Sequence, residues 1–338
     1  MENYLLCCDW GTSVFRLQVI HIADFTVLAQ EVSPDGIATT FNSWKQQAGE
    51  DAVPKPEFFR RQLKTKIAGL ANRASIPLDH VPMIISGMAS SSIGMEDVPY
   101  AQLPFALNGS RASVCYFDSQ VDFPHEVYLV SGVRSGEDVM RGEETQLIGV
   151  TTLLRSTDRT LDDAIFICPG THSKHMYVRQ GQLVDFHTYM TGEVFSLLAT
   201  HSILKNSVDV EQLTDSLEHS PDAFKRGLKD ADSCALLNRI FTTRTNQLFG
   251  KLNSQENALY LSGLLIGSEL KPLQKKTKQE LVLCCGSSLY PFYTLAIAEL
   301  GLADRTTIVP PELVDKAAIV GQVILFQNHR KKLNEVVK

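Results

Sequence analysis

The sequence predicts an α/β protein of two domains, residues 1–150 and 151–338, and three observations support this fold class. Short apolar runs alternate with amphipathic stretches, as strands and helices do in α/β domains. Each half begins with the same order of features: an apolar run, a turn rich in Gly and hydroxyl residues, and a second apolar run. The chain is also long enough for two domains with separate cores.

In the first half, apolar runs at 4–10, 14–20 and 81–87 predict strands. Residues 58–74 place apolar side chains at helical spacing, with Arg and Lys on the other face, which predicts an amphipathic helix. The stretch 136–150 predicts a second helix, with a pair of glutamates midway along it. Strand, helix and strand in this order indicate an α/β domain.

In the second half, the segment DAIFICPGTHSKHMYV predicts two strands joined by a turn, and the chain then returns through a hairpin at Gly181. Residues 193–249 and 257–270 have helical patterns. A strand, a Gly-Ser-Ser turn and a helix follow, and a last helix comes after Pro310 and Pro311. The second half therefore begins with the same order of strand, turn and strand as the first.

The composition indicates a globular protein and argues against several classes of function. Hydrophobic residues make up 44% of the chain, charged residues 21%, and the net charge is −6. An acidic chain without a local Lys/Arg block is not typical of nucleic-acid binding. There is no signal-peptide pattern and no apolar stretch of the ~20 residues that cross a bilayer, so we expect a cytoplasmic protein with no membrane partner. The seven cysteines, an odd number, are expected to be reduced.

The two turns have the residues that an anion site requires. The first is Gly11-Thr12-Ser13, and the second comprises Gly170, Thr171, His172, Ser173 and Lys174. Successive backbone N–H groups at such a bend, with hydroxyl donors beside them, make a cradle for phosphate, and Gly lets the phosphate approach the backbone. Either turn alone is also ordinary turn chemistry. One such turn in each half favours a pair of phosphate sites, with Asp9 at the strand end holding Mg²⁺ through water.

Longer strings resemble a known family. DWGTS after the first strand, a GEET helix, PGTHSK and CGSS occur in the order typical of the actin, Hsp70 and sugar-kinase superfamily. VMRGEETQLIG, PGTHSKH, MTGE and LSGLLIGSEL are similar to the 2-dehydro-3-deoxygalactonokinase family, and the similarity runs essentially from end to end. The resemblance implies a two-domain actin-like ATPase (ribonuclease H-like) fold with a nucleotide cleft between the domains. It also implies ATP- and Mg²⁺-dependent phosphorylation of 2-dehydro-3-deoxy-D-galactonate at its 6-hydroxyl.

With this resemblance, the glutamate pair becomes a candidate catalytic group. Glu143 or Glu144 would accept the proton of the attacking hydroxyl, or orient it toward the γ-phosphate. Adjacent residues of a helix point about 100° apart, so only one of the two faces a given cleft. The sequence does not choose between them, and an exposed glutamate pair on a helix surface is the alternative.

Charged residues near the turns are further candidates. Arg16, in the second strand, would bind a phosphate or the carboxylate of a sugar acid with its planar guanidinium, and a surface ion pair is the alternative. Lys174 and His172 would stabilise the charge on the transferring phosphoryl group.

The acceptor and the adenosine each require a pocket. An anionic sugar acid needs N–H, O–H and cationic donors. Gly286, Ser287 and Ser288 open the helix after the last strand and are assigned to adenosine, while Gly263 would flank the adenine or pack against a neighbouring backbone. The candidates for the sugar acid are Ser86, Gly87, Met88, Ser90, Arg141, Thr191 and Glu193.

Small residues predict a close crossing of two helices. Gly149 lies near the end of the glutamate helix, and Ala317, Ala318 and Gly321 lie in the last helix. Since Gly inside a helix costs about 1 kcal/mol relative to Ala, a packing benefit is expected. We predict that the two helices cross at a hinge between the domains.

Several alternatives stay open at this point. The gluconate epimer or another sugar acid would fit the same motifs. A phosphohydrolase acting on polyphosphate or guanosine polyphosphate would use the glutamate pair with water as nucleophile, although this acidic chain lacks the basic channel that polyphosphate requires. A non-catalytic sugar or nucleotide sensor is a third class, and the chain is compatible with a homodimer.

Overall fold

A computed structural model describes residues 3–47, 53–74, 76–155, 161–231, 235–276 and 279–336. The chain divides into two compact units. The first contains Met1–Leu161, Gly181–Asp185 and Asp315–Lys338, and the second contains Asp162–Gln180 and Phe186–Val314. Compared with the predicted domains 1–150 and 151–338, the first unit also contains 151–161, 181–185 and 315–338, the last because the C-terminal helix packs there.

The elements follow the predicted alternation of strands and helices. The strands of the first unit are β1 (Tyr4–Trp10), β2 (Phe15–His21), β3 (Val27–Ser33), β4 (Met83–Gly87), β5 (Ala101–Gln102), β6 (Phe105–Ala106), β7 (Val114–Phe117), β8 (Val127–Val130), β9 (Val133–Arg134) and β10 (Val139–Met140). They are followed by β11 (Ala164–Cys168), β12 (Ser173–Arg179), β13 (Gln182–Tyr189), β14 (Glu280–Cys284) and β15 (Thr306–Val309). The helices are α1 (Ile37–Lys45), α2 (Lys55–Ala74), α3 (Glu143–Arg155), α4 (Thr191–His201), α5 (Leu213–His219), α6 (Pro221–Asp230), α7 (Leu236–Leu248), α8 (Ser254–Lys276), α9 (Tyr290–Glu299) and α10 (Pro311–Val336).

The main sheet of the first unit has the strand order β3-β2-β1-β4-β8-β7. Its central strand β1 is antiparallel to β2 and parallel to β4, and its residues 5–8 are all buried. Helix α2 covers the sheet with Phe59, Leu63, Ile67 and Leu70, which confirms the predicted helical face. The apolar sequence of β1 therefore reflects burial on both of its faces.

The predicted helix over 136–150 begins later than expected. Val139 and Met140 form β10, Val139 is half exposed, and α3 starts at Glu143. The chain turns at Gly142, whose φ of +107° is a left-handed conformation that favours Gly. The two glutamates are consequently the first residues of the helix rather than its middle.

Helices α3 and α10 cross within the first unit. A Cβ at Gly149 would lie 1.8 Å from Ala317 O, and a Cβ at Gly321 would lie 1.9 Å from Thr145 O. The predicted close crossing of small residues is confirmed, and both contacts lie within one unit. The hinge assigned to this crossing stays a prediction.

The sheet of the second unit runs β15-β14-β11-β12-β13, with β11 parallel to β14 and antiparallel to β12. The first residues of β13 belong to the first unit, where they pair with β6. Helices α6 and α8 pack closely, since a Cβ at Gly227 would lie 2.1 Å from Tyr260 O. Among the described helices, none combines the length and the apolar composition that a bilayer-spanning segment needs.

Candidate active site

The first turn joins β1 to β2 and leaves its hydroxyl residues at the surface. The Gly11 N–H donates to Val14 O at 2.9 Å, and Thr12 and Ser13 are exposed. The start of α1 is hydrogen-bonded to the turn: Ile37 N–H donates to Gly11 O at 2.9 Å. Ala38 N–H donates likewise to Thr12 O at 3.1 Å. With its carbonyls bound by a helix N-terminus, the turn has donors rather than acceptors available for a ligand.

The second turn has the same construction in the second unit. The Glu193 N–H, in the first turn of α4, donates to Thr171 O at 3.0 Å. Thr171 and His172 are exposed, and the His172 ring nitrogen Nε2 lies 2.5 Å from a Glu193 carboxylate oxygen. In each unit, therefore, a strand, a turn and two further strands lead to a helix whose first N–H groups bind the turn.

A glycine permits this close approach in both units. A Cβ at Gly36 would lie 2.3 Å from Thr12 O, and a Cβ at Gly192 would lie 2.6 Å from Gly170 O. Real Cβ atoms do not approach oxygen so closely, and the clash is with backbone. Gly36 and Gly192 are therefore equivalent positions, and the sequence motifs gave neither of them this role.

Asp9 lies at the carboxyl end of β1, beside the end of β4. It pairs in register with Arg16 of β2 and with Ser86 of β4. Gly87 has a φ of +88°, and a Cβ there would lie 2.8 Å from Trp10 O and 3.3 Å from Asp9 Oδ1. Only Gly fits beside the Asp9 carboxylate in this conformation.

The start of α3 completes this group of residues. A Cβ at Gly142 would lie 3.6 Å from Gly87 Cα, so the segment that precedes the glutamates lies against the end of β4. Burial raises the pKa of Asp9, the Arg16 charge lowers it, and the Glu143 charge raises it. Asp9, Arg16 and Glu143, predicted from three separate motifs, therefore interact electrostatically at one end of the sheet.

The two glutamates differ in their surroundings. Glu144 is buried; its Oε2 accepts the Gly142 N–H at 2.7 Å, and its Oε1 accepts the Thr145 hydroxyl at 2.9 Å. Burial, followed by the Glu143 charge, raises the pKa of Glu144 to about 7. Glu143 is less buried, and its charge acts on Asp9. The structure thus separates a partly exposed glutamate from one that binds its own helix start.

Arg141 contacts one other sugar-acid candidate, Ser90, and two residues that were not predicted, Tyr100 and Asp97. Its Nη1 donates to Ser90 Oγ at 2.8 Å and also to Ser90 O, while its guanidinium stacks 4.0 Å from the Tyr100 ring centre. Asp97 lies 3.8 Å from Nη2. The Nε of Arg141 is buried and has no hydrogen-bond partner among the described residues. Ser86 is bound differently, because its Oγ accepts the Gln322 amide at 2.8 Å, and Met88 is half-buried in the segment between them.

Thr191 and Glu193, also predicted for the sugar acid, lie in the second unit. Thr191 Oγ1 donates to Glu269 at 2.5 Å, and Glu193 binds His172 and Thr171. Ser173, predicted to bind phosphate, is buried and donates its hydroxyl to Glu269. These side chains therefore bind the second turn and the residues next to it. The buried Lys174 lies with its Nζ 3.2 Å from His172 O.

An apolar cavity opens beside the second turn. Gly263, for which adenine and backbone packing were the two alternatives, packs closely against α6, since a Cβ there would lie 2.1 Å from Phe224 O. Gly286, Ser287 and Ser288 are partly or fully exposed and directly precede the cavity wall. The wall is formed by Gly170, Thr191, Gly192, Phe195, Leu213, Ser262, Leu265, Ile266, Leu289, Phe292 and Tyr293.

Glu269 and Gln322 bind candidate site residues and were not identified by the sequence motifs. Glu269 is buried at the end of the apolar string LSGLLIGSEL, and an acid on an apolar helix face was the available signal. Gln322 is buried in α10, and its amide donates to Cys8 O and Ser86 Oγ. Its role depends on where α10 packs, which no local pattern indicates.

Comparisons with known proteins agree on one family. The family model for 2-keto-3-deoxy-galactonokinase matches residues 9–321. A 2-dehydro-3-deoxygalactonokinase of Escherichia coli (strain K12) is 30% identical over 230 residues, which cover 66% of this chain and 72% of that protein. A protein of Rhizobium meliloti (strain 1021), named a probable 2-dehydro-3-deoxygalactonokinase, is 30% identical over 276 residues, or 79% of each chain.

Solved structures agree on the fold. A crystal structure from Sinorhizobium meliloti, provisionally assigned as a 2-dehydro-3-deoxygalactonokinase protein, gives a TM-score of 0.73 at 29% identity, over 97% of this chain and 96% of that chain. The activator of 2-hydroxyisocaproyl-CoA dehydratase from Clostridium difficile, solved with ADPNP, gives 0.51 at 11% identity, over 98% and 97%. The second likeness shows the fold alone. The predicted α/β fold of the actin-like ATPase type is confirmed.

Proposed function

Since the chain belongs to the 2-keto-3-deoxy-galactonokinase family, we propose that it transfers the γ-phosphoryl group of ATP to the 6-hydroxyl of 2-dehydro-3-deoxy-D-galactonate. Membership makes it a phosphotransferase with an alcohol group of a sugar acid as acceptor. The observation that carries the proposal is the convergence of Asp9, Gly87 and Glu143 at the end of β1 and β4. Ligands of open α/β sheets bind at such carboxyl ends.

Glu143 is the proposed general base. Both oxygens of Glu144 already accept hydrogen bonds from Gly142 and Thr145, and its raised pKa keeps much of it protonated near neutral pH. Glu143 is less buried than Glu144 as a whole residue, although its Oε2 is enclosed, and its charge acts on Asp9. It would take the proton of the 6-hydroxyl as that oxygen attacks the γ-phosphorus, while ADP leaves. Glu144 would hold the start of α3 in place.

The carboxylates at this end of the sheet fit a divalent cation. Burial raises the pKa of Asp9, the Arg16 charge lowers it, and the smaller effect of the Glu143 charge raises it, so the two acids repel each other. A cation of charge +2 offsets such repulsion, and carboxylate oxygens are hard ligands of the kind that Mg²⁺ prefers. Asp9 is the residue proposed to hold it, through water. The bound ion would supply charge neutralisation at the phosphate oxygens.

The two turns are proposed to bind the phosphates of ATP. Their carbonyls are bound by α1 and α4, and their exposed residues Thr12, Ser13, Thr171 and His172 offer N–H and side-chain donors. The apolar cavity beside Gly170 is the proposed adenine site, because a purine needs apolar walls next to a phosphate-binding turn.

Arg141 is proposed to recognise the carboxylate of the sugar acid. Its guanidinium is held between Ser90 and the Tyr100 ring, and its buried Nε is the donor not used within the described residues. An acceptor atom of the substrate would satisfy that donor. Arg16, beside Asp9, is the cation proposed for the phosphate side.

An ADP-release assay tests the proposed function. The enzyme is supplied with ATP and Mg²⁺, and with 2-dehydro-3-deoxy-D-galactonate, its gluconate epimer, or no acceptor. We expect ADP only with the galactonate acid, and phosphorus–proton NMR coupling should place the product phosphate on O6. Turnover of the gluconate epimer alone would contradict the substrate. Phosphate release without acceptor would favour a phosphohydrolase.

A further inference from the structure

A buried carboxylate lies directly beneath the second turn. Glu269 of α8 is 2% exposed. Its Oε1 accepts the Ser173 hydroxyl at 2.6 Å and lies 3.1 Å from His175 Nε2. Its Oε2 accepts the Thr191 hydroxyl at 2.5 Å and the Tyr293 hydroxyl at 2.8 Å. Four side chains thus converge on one acid.

Hydrogen-bond donors surround the buried Glu269 carboxylate and favour its charged form. Burial alone would raise the pKa of Glu269, but the hydrogen bond and the charge of His175, followed by the hydrogen bonds from Ser173 and Thr191, lower the pKa below its usual value. A buried anion costs several kcal/mol unless hydrogen-bond donors surround it. Consequently the charge of Glu269 and the positions of its donors depend on each other.

Those donors are the residues that flank the second turn. Ser173 and His175 belong to β12, which begins where the turn ends. Thr191 is the first residue of α4, two residues before Glu193, whose N–H binds Thr171 O. One carboxylate therefore holds both the strand that leaves the turn and the helix start that binds the turn's carbonyl.

We propose that Glu269 is a positioning residue for ATP: through Ser173 and Thr191 it fixes the turn at 169–173 and the start of α4 in the geometry that binds phosphate. This inference rests on the proposed function, because it takes the turn as the nucleotide site. Glu269 itself would not touch the phosphate. Its effect is transmitted by two hydroxyl hydrogen bonds and by the backbone that they hold.

The test is the variant Glu269→Gln in the full chain. The amide keeps the volume but replaces one acceptor oxygen by an NH₂ group, which faces hydroxyl donors. We expect the KM for ATP to rise about tenfold, as for loss of hydrogen bonds to a charged group. The KM for the sugar acid at saturating ATP should stay within about twofold, since its candidate residues Arg141 and Ser90 lie in the first unit. Amide hydrogen exchange, measured by mass spectrometry, should quicken in peptides covering 169–179 and 190–195.

Asn257→Ala is the matched control. Asn257 is buried in the same helix and donates to Ser207 O at 3.1 Å, away from the turn. It should lower the melting temperature with an unchanged KM for ATP and unchanged exchange at the turn. If Glu269→Gln does not fold, Ser173→Ala and Thr191→Val each remove one donor, and each should raise the KM for ATP about threefold or more.

The outcomes separate the two proposals. Equal KM values for ATP and equal turn exchange in Glu269→Gln and Asn257→Ala would overturn the positioning role and leave it merely structural. A wild-type protein without ATP-dependent sugar-acid turnover would contradict the proposed function instead. In that case the exchange rates alone decide whether Glu269 holds the turn.

Discussion

Gly321 of α10 lies against Thr145 of α3, so closely that a Cβ at position 321 would be 1.9 Å from Thr145 O. Gly149 has the same relation to Ala317 O, at 1.8 Å. Thr145 directly follows Glu144 and donates its hydroxyl to that carboxylate. The crossing of the two helices therefore sets the position of the helix start that contains both glutamates.

Replacing Gly321 by Val should separate these helices. The clash is with a backbone oxygen, which has no rotamer to adopt, so we expect a loss of about 2 kcal/mol or more in the free energy of unfolding. Turnover should fall more than nucleotide binding, because α3 begins with the glutamates. Urea unfolding, kcat and calorimetric nucleotide titration measure the three effects. Gly69→Ala in α2 is the control, since nothing lies within 4 Å of its Cβ, and it should be as stable as wild type or more so.

The glycines beneath the turns should be sensitive to a single methyl group. Gly192→Ala would push α4 away from Gly170 O, and Gly36→Ala would push α1 away from Thr12 O. Because each helix start binds the carbonyls of its turn, we expect each variant to raise the KM for ATP about fivefold or more. Steady-state kinetics at saturating sugar acid measure this. Gly136→Ala, with open space at its Cβ, should behave as wild type, and a normal KM for ATP in both turn variants would contradict phosphate binding there.

The two glutamates should differ in kinetics. Glu143→Gln removes the proposed base, and we expect kcat to fall about 10²–10⁴-fold with smaller changes in both KM values. Glu144→Gln keeps a polar group at the start of α3 and should lose much less. Single-turnover rates with ATP and sugar acid separate chemistry from product release. Full rate in both variants would show that neither glutamate is the base.

The proton of Glu144 should make stability depend on pH. Burial, and next the Glu143 charge, raise the pKa of Glu144 from 4.5 to about 7. Between these pH values the folded protein keeps a proton that the unfolded chain has lost. The contribution of Glu144 to the free energy of unfolding therefore falls by ~3 kcal/mol as the pH rises. Glu144→Gln cannot ionise, and its stability relative to wild type should therefore increase from pH 5 to pH 8. If the difference in free energy of unfolding between Glu144→Gln and wild type is the same from pH 5 to pH 8, this linkage is wrong.

Arg141 should affect the sugar acid and not ATP. Arg141→Lys keeps the charge but loses the planar guanidinium that stacks on Tyr100 and binds Ser90. We expect the KM for the sugar acid to rise about tenfold with the KM for ATP unchanged. The exposed Arg134→Lys is the control and should match wild type in both. An unchanged KM for the sugar acid would remove Arg141 from that site.

The turns and their strands could be predicted because their signals are local. Asp9, Gly11 and Gly170 follow apolar runs, and the structure places each at a strand end or turn as expected. The start of α3 was misplaced because a positive φ at Gly142 is a property of the backbone that composition does not reveal. A helical pattern extended through that residue is indistinguishable from a strand followed by a turn.

The assignment of side chains to ligands was less predictable. Thr191, Glu193 and Ser173 have polar side chains that can bind a ligand, yet their partners are Glu269, His172 and the turn itself. Their roles depend on the path of α8 and α4 through the second unit, which no local sequence pattern indicates. Glu269 had a weak local signal, an acid among apolar helix residues, which indicates a buried partner without saying which.

The amide of Gln322 donates to Cys8 O at 2.7 Å and to Ser86 Oγ at 2.8 Å, which ties α10 to β1 and β4. During translation the strands of the first unit leave the ribosome long before this helix is synthesised. All residues of the second unit, by contrast, are made between positions 162 and 314. The second unit can therefore complete its fold on the nascent chain before α10 is synthesised and can pack against β1.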